Sequence, residues 1–353
     1  MQRMGQKRIW QVVGLSVATS VLVALVVVGY SLIKHAIAQQ TAQSPCLKPF
    51  ATTQICYQDP ITLNQQPISA IATSTDGKYL ASASGMVIEV WDISTGDQRR
   101  SLTGHTNWIT ALAFHPQGNT LASSSLDGTI KLWNLTNGTA IATLKSGIVT
   151  SLAFSPDGKL LASGSRLAPH HSQATNPIQF WDVATQKITL TLKPKEPTIA
   201  LAFSPDGRWV AAGDRTTQVW AFPSLAPRYT LDSGELNDLL FSTESDLLIT
   251  GSNGIQGEDG IKVWAMSTGR LVQKLDTVGN DLALSPNGQL LLTTYGGLVN
   301  VWRMRPLRYL GGLRGSVYSA LFAKFGADSR SVILGSSDGL TLRRAQRLQR
   351  EQK

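Results

Sequence analysis

The residues that could do chemistry begin with two aspartates at matching points of a repeating sequence. Asp238 and Asp281 each follow an asparagine and open an apolar stretch. Carboxylate and amide oxygens are ligands for hard cations such as Ca²⁺. The two aspartates therefore predict an acidic mouth that could hold a cation by oxygen ligands. The alternative is a pair of solvated carboxylates at strand entrances.

Adjacent histidines can bind a metal, and His170 and His171 lie together in an insertion over residues 166–177. They have no third ligand at an obvious spacing, so the other interpretation is a surface loop. The sequence also lacks a nucleophile elbow, a phosphate-binding loop and a dinucleotide motif. We therefore expect no catalytic residues, no cofactor, no metal and no small-molecule substrate, and the chain is not expected to be an enzyme.

The chain has two cysteines, Cys46 and Cys56. A disulfide between them would close a short loop in an oxidising compartment. Two unpaired thiols are the alternative, because the distance between the cysteines cannot be read from sequence.

The elements that position these residues follow a repeat marked by tryptophan. Six of the nine tryptophans recur at intervals of 42, 48, 39, 44 and 38 residues. They are Trp91, Trp133, Trp181, Trp220, Trp264 and Trp302. Each repeat begins with an apolar strand, continues with a strand rich in Ala and Ser, and ends with a second apolar strand that contains the tryptophan, such as IKLWNL. Turns such as SPDG join the first strand to the second, since Pro and Asp-Gly favour a tight reversal. This is the pattern of short antiparallel strands in repeated sheets.

A seventh unit lacks its tryptophan. Residues 318–343 repeat the pattern, and Arg344 stands where the tryptophan would be. This unit has three strands, whereas residues 57–63 form a strand with no partner before the first unit. We expect 57–63 to become the fourth strand of the last sheet, because this pairing closes a ring and removes open sheet edges.

The repeats resemble the WD-repeat β-propeller family over about residues 57–344. The Trp-Asp pairs at 91–92 and 181–182 match the family's dipeptide, and the Gly-His pair at 104–105 matches another. The resemblance implies an all-β, seven-bladed propeller of four-stranded antiparallel blades, used as a rigid interaction platform. It also implies a structural hydrogen-bond tetrad in one blade. The tetrad would consist of His105, Ser123, Asp127 and Trp133.

Loops on one rim of the propeller are the expected binding surface for a protein or peptide partner. An exposed Trp108 would be a natural hot spot, and a tryptophan partly buried against the next blade is the alternative. The long loops 166–177 and 253–260 should rise on the same rim, over blades two to five. The partner-binding residues are expected to be Trp108, Arg166, His170, His171, Asp214, Arg215, Glu258 and Asp259.

Residues 9–33 form an uncharged run of 25 residues, long enough to cross a hydrocarbon core of roughly 30 Å as a helix. Three basic residues lie in the preceding segment 1–8, and only Lys34 follows closely. The excess of basic residues before the run predicts a single-pass membrane protein with a cytoplasmic N-terminus and an exported propeller. Cleavage after Ala38, followed by secretion, is the alternative. The remaining segments are a linker over 34–56 and a basic tail over 345–353.

The net charge of +9 lies mainly at the two ends of the chain, each of which contributes +4, so the body between them carries +1. A nearly neutral body releases few counterions from phosphates, and no nucleic-acid partner is expected. Two functional classes remain: a membrane-anchored, non-catalytic scaffold, or an exported propeller enzyme or binder of a small ligand or cation at the channel mouth. Asp238 and Asp281 are the groups available for the second class.

Overall fold

The computed structural model describes residues 46–47, 55–57, 60–165, 177–252, 260–275, 277–314 and 320–344. These residues form strands and turns, and they include no helix with the length and apolar character that crossing a membrane requires. The predicted membrane helix over 9–33, most of the linker and the basic tail lie outside the described residues. The side chains of Cys46 and Cys56 also lie outside them, so the disulfide stays a prediction.

Thirty strands are described, and the last 27 follow in blade order. The strands before the first blade are β1 (Cys46–Leu47), β2 (Ile55–Cys56) and β3 (Ile61–Asn64). Blade one contains β4 (Ala70–Thr73), β5 (Tyr79–Ser84), β6 (Val87–Asp92) and β7 (Gln98–Leu102). Blade two contains β8 (Ile109–Phe114), β9 (Thr120–Ser125), β10 (Thr129–Asn134) and β11 (Thr139–Lys145). Blade three contains β12 (Ser151–Phe154), β13 (Leu160–Gly164), β14 (Ile178–Asp182) and β15 (Ile188–Leu192).

The other blades repeat this plan. Blade four contains β16 (Ala200–Phe203), β17 (Trp209–Gly213), β18 (Thr217–Ala221) and β19 (Ala226–Leu231). Blade five contains β20 (Leu236–Phe241), β21 (Leu247–Ser252), β22 (Ile261–Ala265) and β23 (Arg270–Leu275). Blade six contains β24 (Leu282–Leu284), β25 (Leu290–Tyr295), β26 (Leu298–Met304) and β27 (Leu307–Arg314). Blade seven contains β28 (Ala320–Phe325), β29 (Val332–Ser336) and β30 (Gly339–Arg343), with β3 as its fourth strand.

The seven four-stranded antiparallel sheets form a closed propeller, as the sequence predicted. The first strand of each blade contacts the first strand of the next, and β28 contacts β4 across the closure. Strand β3 pairs with β30, with Ile61 opposite Leu342 and Thr62 opposite Thr341. The closing strand therefore covers 61–64 and not 57–63. One blade is thus made from the two ends of the propeller sequence.

Five of the six third-strand tryptophans are buried between neighbouring blades, and Trp302 is partly buried. In five blades the indole N–H donates to a Ser or Thr hydroxyl on the second strand, at 2.8–3.2 Å. The five acceptors are Ser82, Ser123, Ser163, Thr250 and Thr293. The hydroxyl residues of the second strand are therefore required as acceptors, because a buried N–H without a partner is costly.

Blade seven has an arginine at the tryptophan position, but it is Arg343. In blade two, Trp133 lies opposite Leu121, and the corresponding pair in blade seven is Arg343 opposite Val332. The prediction of Arg344 was wrong by one residue, because it counted from the previous tryptophan, whereas strand pairing sets the position.

Tyr57 supplies the aromatic ring that blade seven lacks. It is 1% exposed and belongs to the apolar cluster between blades six and seven, with Val301 on one side and Phe325 and Val332 on the other. The cluster around Trp133 joins blades one and two in the same way. Residues predicted as one strand thus divide between a buried aromatic plug and the closing strand.

Candidate functional site

The strand order defines two faces of the propeller. Neighbouring strands of a blade are antiparallel, so the connections from second to third strands and from each blade to the next lie on one face. We name this the upper face. The turns from first to second and from third to fourth strands lie on the opposite, lower face. Trp108 and the connection at 214–215 are both on the upper face, as predicted from the repeat.

Trp108 is 59% exposed in the connection between β7 and β8. Its carbonyl accepts the N–H of Leu126 at 2.8 Å, and the carbonyl of Asn107 accepts the hydroxyl of Ser125 at 2.9 Å. Both donors belong to the end of β9 and the turn that follows it in blade two. The exposed indole therefore stands on a backbone that is held in place before any partner binds.

The structure brings the four tetrad side chains together directly below this connection. His105 Nε2 is 2.8 Å from Ser123 Oγ, and His105 Nδ1 is 2.7 Å from Asp127 Oδ2. The indole N–H of Trp133 donates to the same Ser123 hydroxyl at 2.8 Å. The tetrad thus links the connection before blade two to the second and third strands of that blade.

Asp127 joins the tetrad to the backbone of the Trp108 connection. Its Oδ2 accepts the N–H of Thr106 at 3.0 Å, and its Oδ1 accepts the hydroxyl of Thr129 at 2.7 Å. Burial acts to raise the pKa of Asp127, but the hydrogen bonds from Thr129 and His105 outweigh it and hold the pKa well below its usual range. The carboxylate stays ionised and keeps the connection in place.

Four large apolar side chains are exposed together on the upper face of the first three blades. They are Met86, Trp108, Leu126 and Ile148, and we name them the upper apolar patch. Backbone bonds tie their connections together: Ile109 N–H donates to Gly85 at 2.9 Å, and Gly147 N–H donates to Gly128 at 3.1 Å. A contiguous exposed apolar patch marks an interaction surface more strongly than single exposed residues.

The other predicted contact residues fall into two groups. Arg215 is exposed, and the carboxylate of Glu196 accepts its backbone N–H at 3.0 Å. The carbonyl of Asp214 accepts the N–H of Leu236 at 2.7 Å, so this connection is also held by neighbouring segments. The residues outside the described part of the chain stay predictions. They are Arg166, His170, His171, Glu258 and Asp259.

Asp238 and Asp281 lie in the wall of a central cavity of about 430 Å³, and a lysine of blade seven is beside them. Lys324 Nζ donates to both oxygens of Asp281 at 2.9 and 3.0 Å. Asp281 also accepts the N–H of Ala323 at 2.8 Å, and Asp238 accepts the N–H of Leu282 at 2.9 Å. Each carboxylate therefore joins its own first strand to the next blade.

The two interpretations of the aspartate pair have different outcomes. Asp281 is buried and accepts the backbone N–H of Ala323, so it is not a solvated carboxylate, whereas Asp238 is partly exposed in the cavity wall. The cation site stays a prediction. The cation beside Asp281 is the ammonium group of Lys324. Among the described residues, no group of three or more metal-ligating side chains could hold an ion.

The sequence contained a signal for Lys324. In the first strand, the position before the last residue is apolar in six blades and charged in blade seven. The six apolar residues are Ala72, Ala113, Ala153, Ala202, Leu240 and Ala283. Lys324 is two residues along its strand from the position of Asp238 and Asp281 in theirs, so it lies on the same channel-facing side.

Replacing Asp238 by asparagine is expected to stabilise the protein most at pH 8, and by progressively less as the pH falls towards 4. Burial, and then the charge of Asp281, raise the pKa of Asp238 to about 7. The folded state therefore holds this proton more tightly than the unfolded state. The stability that this proton contributes is fully present below about pH 4. It is lost as the pH rises through 7, by up to about 1.4 kcal/mol per pH unit.

Thermal unfolding midpoints of Asp238→Asn and wild type, compared from pH 5 to 8, measure this difference. Asp97→Asn, at an exposed position, is the control and should show no growing difference. A variant no more stable than wild type at pH 8 would contradict the assignment of the proton to Asp238.

The closed ring of seven four-stranded blades defines the class of fold, a β-propeller. A family model described as "WD domain, G-beta repeat" matches residues 59–92, 96–134, 138–166 and 186–221. The chain carries WD40 repeats at these four places, which correspond to the first four blades. Blades five to seven have the same strand order with diverged sequences.

The relatives of this chain include a complex subunit, a nuclear distribution protein and a WD repeat-containing protein. It is 43% identical over 70 residues, 19% of its length, to the target of rapamycin complex subunit wat1 of Schizosaccharomyces pombe. It is 42% identical over 74 residues, 21% of its length, to the nuclear distribution protein PAC1 of Tuber melanosporum. It is 31% identical over 99 residues, 28% of its length, to an uncharacterized WD repeat-containing protein of Synechocystis. The matches span 22%, 16% and 28% of these relatives.

Proposed function

We propose that this protein is a non-catalytic scaffold that binds a protein or peptide partner through the upper apolar patch. The observation that carries the proposal is Trp108, an exposed aromatic side chain on a backbone bonded to blade two. Aromatic anchors on rigid supports bind with little loss of conformational entropy. The class of fold supports the same conclusion, since relatives such as the target of rapamycin complex subunit are named as parts of assemblies.

The proposed surface differs from the predicted one in its extent. The prediction was a surface over blades two to five, whereas the exposed apolar residues of the patch belong to blades one and two and the entrance to blade three. The long loops at 166–177 and 253–260 stay part of the proposal as a polar extension of the rim. The alternative, a small-ligand or cation binder at the channel, has less support, because Lys324 already neutralises Asp281 there.

Membrane attachment is a further part of the proposal, and its support is the uncharged run over 9–33 with basic residues before it. Carbonate extraction of membranes tests it, with the N-terminus of the mature protein determined in parallel. Retention in the pellet supports an anchor with an exported propeller. A mature protein that begins at Gln39 would show cleavage and secretion instead.

Replacing Trp108 by alanine is expected to weaken partner binding by about 2 kcal/mol, roughly 30-fold, as for a central hot-spot residue. A photo-crosslinker placed at Leu126 would first capture the partner from solubilised membranes for identification. The affinity of the purified partner is then measured for Trp108→Ala and for Tyr295→Ala. Tyr295 is an exposed aromatic residue on the same face in blade six, so it controls for the loss of a surface ring.

Equal affinity of wild type and Trp108→Ala would contradict the placement of the site. Loss in Tyr295→Ala with no loss in Trp108→Ala would move the site to the other side of the ring. An unchanged unfolding midpoint for both variants is required for either comparison.

A further inference from the structure

The upper mouth of the central channel has one acidic position on an otherwise apolar rim. A backbone bond repeated in five blades marks this rim: an N–H at the start of the first strand donates to the end of the second strand in the previous blade, at 2.7–3.1 Å. The donors are Ile68, Ile109, Thr198, Leu236 and Gly279. The residues immediately before them, with Ile148 at the same place in blade three, are Pro67, Trp108, Pro197, Glu235 and Val278. Glu235 of blade five is therefore the charged member of the rim in the six blades where this position is described.

The wall of the cavity below the rim has the same asymmetry. Blades one to four line it with apolar side chains and hydroxyl groups and contribute no charged residue. The charged residues of the wall are Asp238 of blade five, Asp281 of blade six and Lys324 of blade seven. With Glu235 on the rim above them, the acids of the mouth outnumber its bases by three to one.

The hydroxyl groups on the uncharged side of the mouth are already used within the ring. Ser69 Oγ donates to the carbonyl of Ile109 at 3.0 Å, and Thr110 Oγ1 donates to the carbonyl of Val149 at 2.6 Å. A hydroxyl group has one proton to donate, so neither group has a proton left for a partner. This side of the mouth therefore presents mainly apolar surface, with Trp108 and Ile148 exposed above it.

The lysine of the cavity wall is committed to Asp281 and leaves Asp238 without a cation. Lys324 Nζ donates to the two oxygens of Asp281 at 2.9 and 3.0 Å and to the carbonyl of Leu282 at 3.2 Å. These three bonds use the three protons of the ammonium group. Asp238 accepts the backbone N–H groups of Leu239 and Leu282 at 2.8 and 2.9 Å, and neither of these donors carries a charge.

Two further acceptors lie beside Asp238 in the chain. Asn237 Nδ2 donates to Asn280 Oδ1 at 3.2 Å, and Asn237 Oδ1 accepts no hydrogen bond from a described residue. Glu235 belongs to none of the ion pairs among the described residues. Arg215, on the neighbouring connection, is offset by Glu196, whose carboxylate accepts its N–H at 3.0 Å. Blade five thus offers an amide oxygen and two carboxyl groups at the mouth.

We infer that the upper mouth of the channel binds a lysine or arginine side chain of the partner beside Glu235, Asn237 and Asp238, while apolar residues next to it in the partner pack on Trp108 and Ile148. This inference rests on the proposed function, and it adds the class of sequence recognised: a basic residue flanked by apolar residues. Carboxylate and amide oxygens accept hydrogen bonds from ammonium and guanidinium groups. The cavity of about 430 Å³ lies within the range of roughly 300–1,000 Å³ for ligand pockets, so it can hold one long side chain.

The test uses the full chain in detergent and three tripeptides with acetylated and amidated ends. Their sequences are Leu-Lys-Leu, Leu-Arg-Leu and Leu-norleucine-Leu, the last of which keeps a long side chain without charge. Equilibrium dialysis at pH 8 gives each affinity. We expect the lysine and arginine peptides to bind about tenfold more tightly than the norleucine peptide, as for hydrogen bonds to charged groups. This preference should disappear in Asp238→Asn and fall in Glu235→Gln.

Asp338→Asn is the matched control, because it removes a carboxylate from an exposed turn of the same face in blade seven, and it should keep the preference. Trp108→Ala should weaken all three peptides by the same factor, since it removes an apolar contact and leaves the acceptors in place.

The preference for a basic residue should also grow from pH 5 to pH 8. Burial, and then the charge of Asp281, raise the pKa of Asp238 to about 7, and a neutral carboxyl group does not attract a cation. The other titratable groups that line the cavity are Asp281 and Lys324. Lys324 stays charged over this range, because its pKa is raised above its usual value.

Equal affinity for the lysine and norleucine peptides would overturn the inference, and so would the absence of measurable binding by both basic peptides. A lysine preference that survives Asp238→Asn would place the cation elsewhere. Binding of n-butylammonium as tight as that of the lysine peptide would make the mouth a site for free amines instead. Failure of the proposed function is distinct from all of these, because it would appear as unchanged affinity of Trp108→Ala for the purified partner.

Discussion

Tyr57→Ala is expected to lower the free energy of unfolding by about 3–5 kcal/mol, the range for removing a large aromatic side chain from a core. Tyr57 is the aromatic plate between blades six and seven, where the third strand offers only Arg343. Its loss would leave a cavity at the blade that is built from both ends of the propeller. The ring would therefore be weakened at the place where it has to close.

The hydroxyl of Tyr57 is expected to contribute nothing to this stability. Its Oη is buried and has no hydrogen-bond partner among the described residues. Burial, and then the charge of Asp328, raise the pKa of the phenol above its usual value, so the ring is neutral at all moderate pH values. Replacing the hydroxyl by hydrogen also removes the free-energy cost of desolvating it. The effect on stability is therefore neutral or favourable in such a site.

Urea unfolding followed by tryptophan fluorescence measures both effects. Tyr57→Phe should unfold at or above the wild-type midpoint, whereas Tyr57→Ala should unfold far below it. Ile61→Ala is the control in the same segment, at an exposed position, and should shift the midpoint slightly. If Tyr57→Ala behaved like Ile61→Ala, the aromatic plug would have no part in closing the ring.

Lys324→Met is expected to cost about 3–5 kcal/mol at neutral pH, as when one partner of a buried ion pair is removed. The Asp281 carboxyl group would then lie in the channel wall beside Asp238 without the ammonium group that it now contacts. Lys324 is 20% exposed and Asp281 12% exposed in their side chains, so water could not replace the ammonium group fully. Burial disfavours the charged lysine, but the charges of Asp281 and Asp238 and the hydrogen bond to Asp281 together outweigh it and raise the pKa of Lys324.

The double variant Lys324→Met, Asp281→Asn separates an ion pair from simple packing. In the wild type, the N–H of Ala323 donates to Asp281 Oδ2 at 2.8 Å. Asparagine keeps an oxygen that can accept this hydrogen bond but carries no charge. We expect the double variant to recover most of the lost stability. If the double variant were as unstable as the two single variants combined, the two residues would not act as a pair. Denaturant unfolding of all four proteins at pH 7 gives the coupling.

Both predictions concern the closure of the ring, and together they explain how diverged blades remain in a WD-repeat fold. The tetrad is present in blade two, where the sequence matches the family best. Blades five, six and seven are joined through the channel instead, by Asp238 bonded to blade six and Asp281 bonded to blade seven. Loss of the family's motif is thus accompanied by a different polar link between first strands.

The repeat alone determined the blades, because its information is local. Tryptophan spacing, SPDG-like turns and alternating strands each act over a few residues. The alternating strands recur in all seven units and the tryptophan marks six of them, so strand order and blade number followed from this pattern. The four tetrad residues lie within one repeat, and the structure places them within hydrogen-bonding distance of one another.

Only the tertiary structure decided which residues from distant repeats meet. Lys324 reaches Asp281 across 43 residues of sequence, and Tyr57 fills the gap left by a tryptophan missing near the other end of the chain. These partners are set by ring closure and strand register, which bring together side chains that no short stretch of sequence relates.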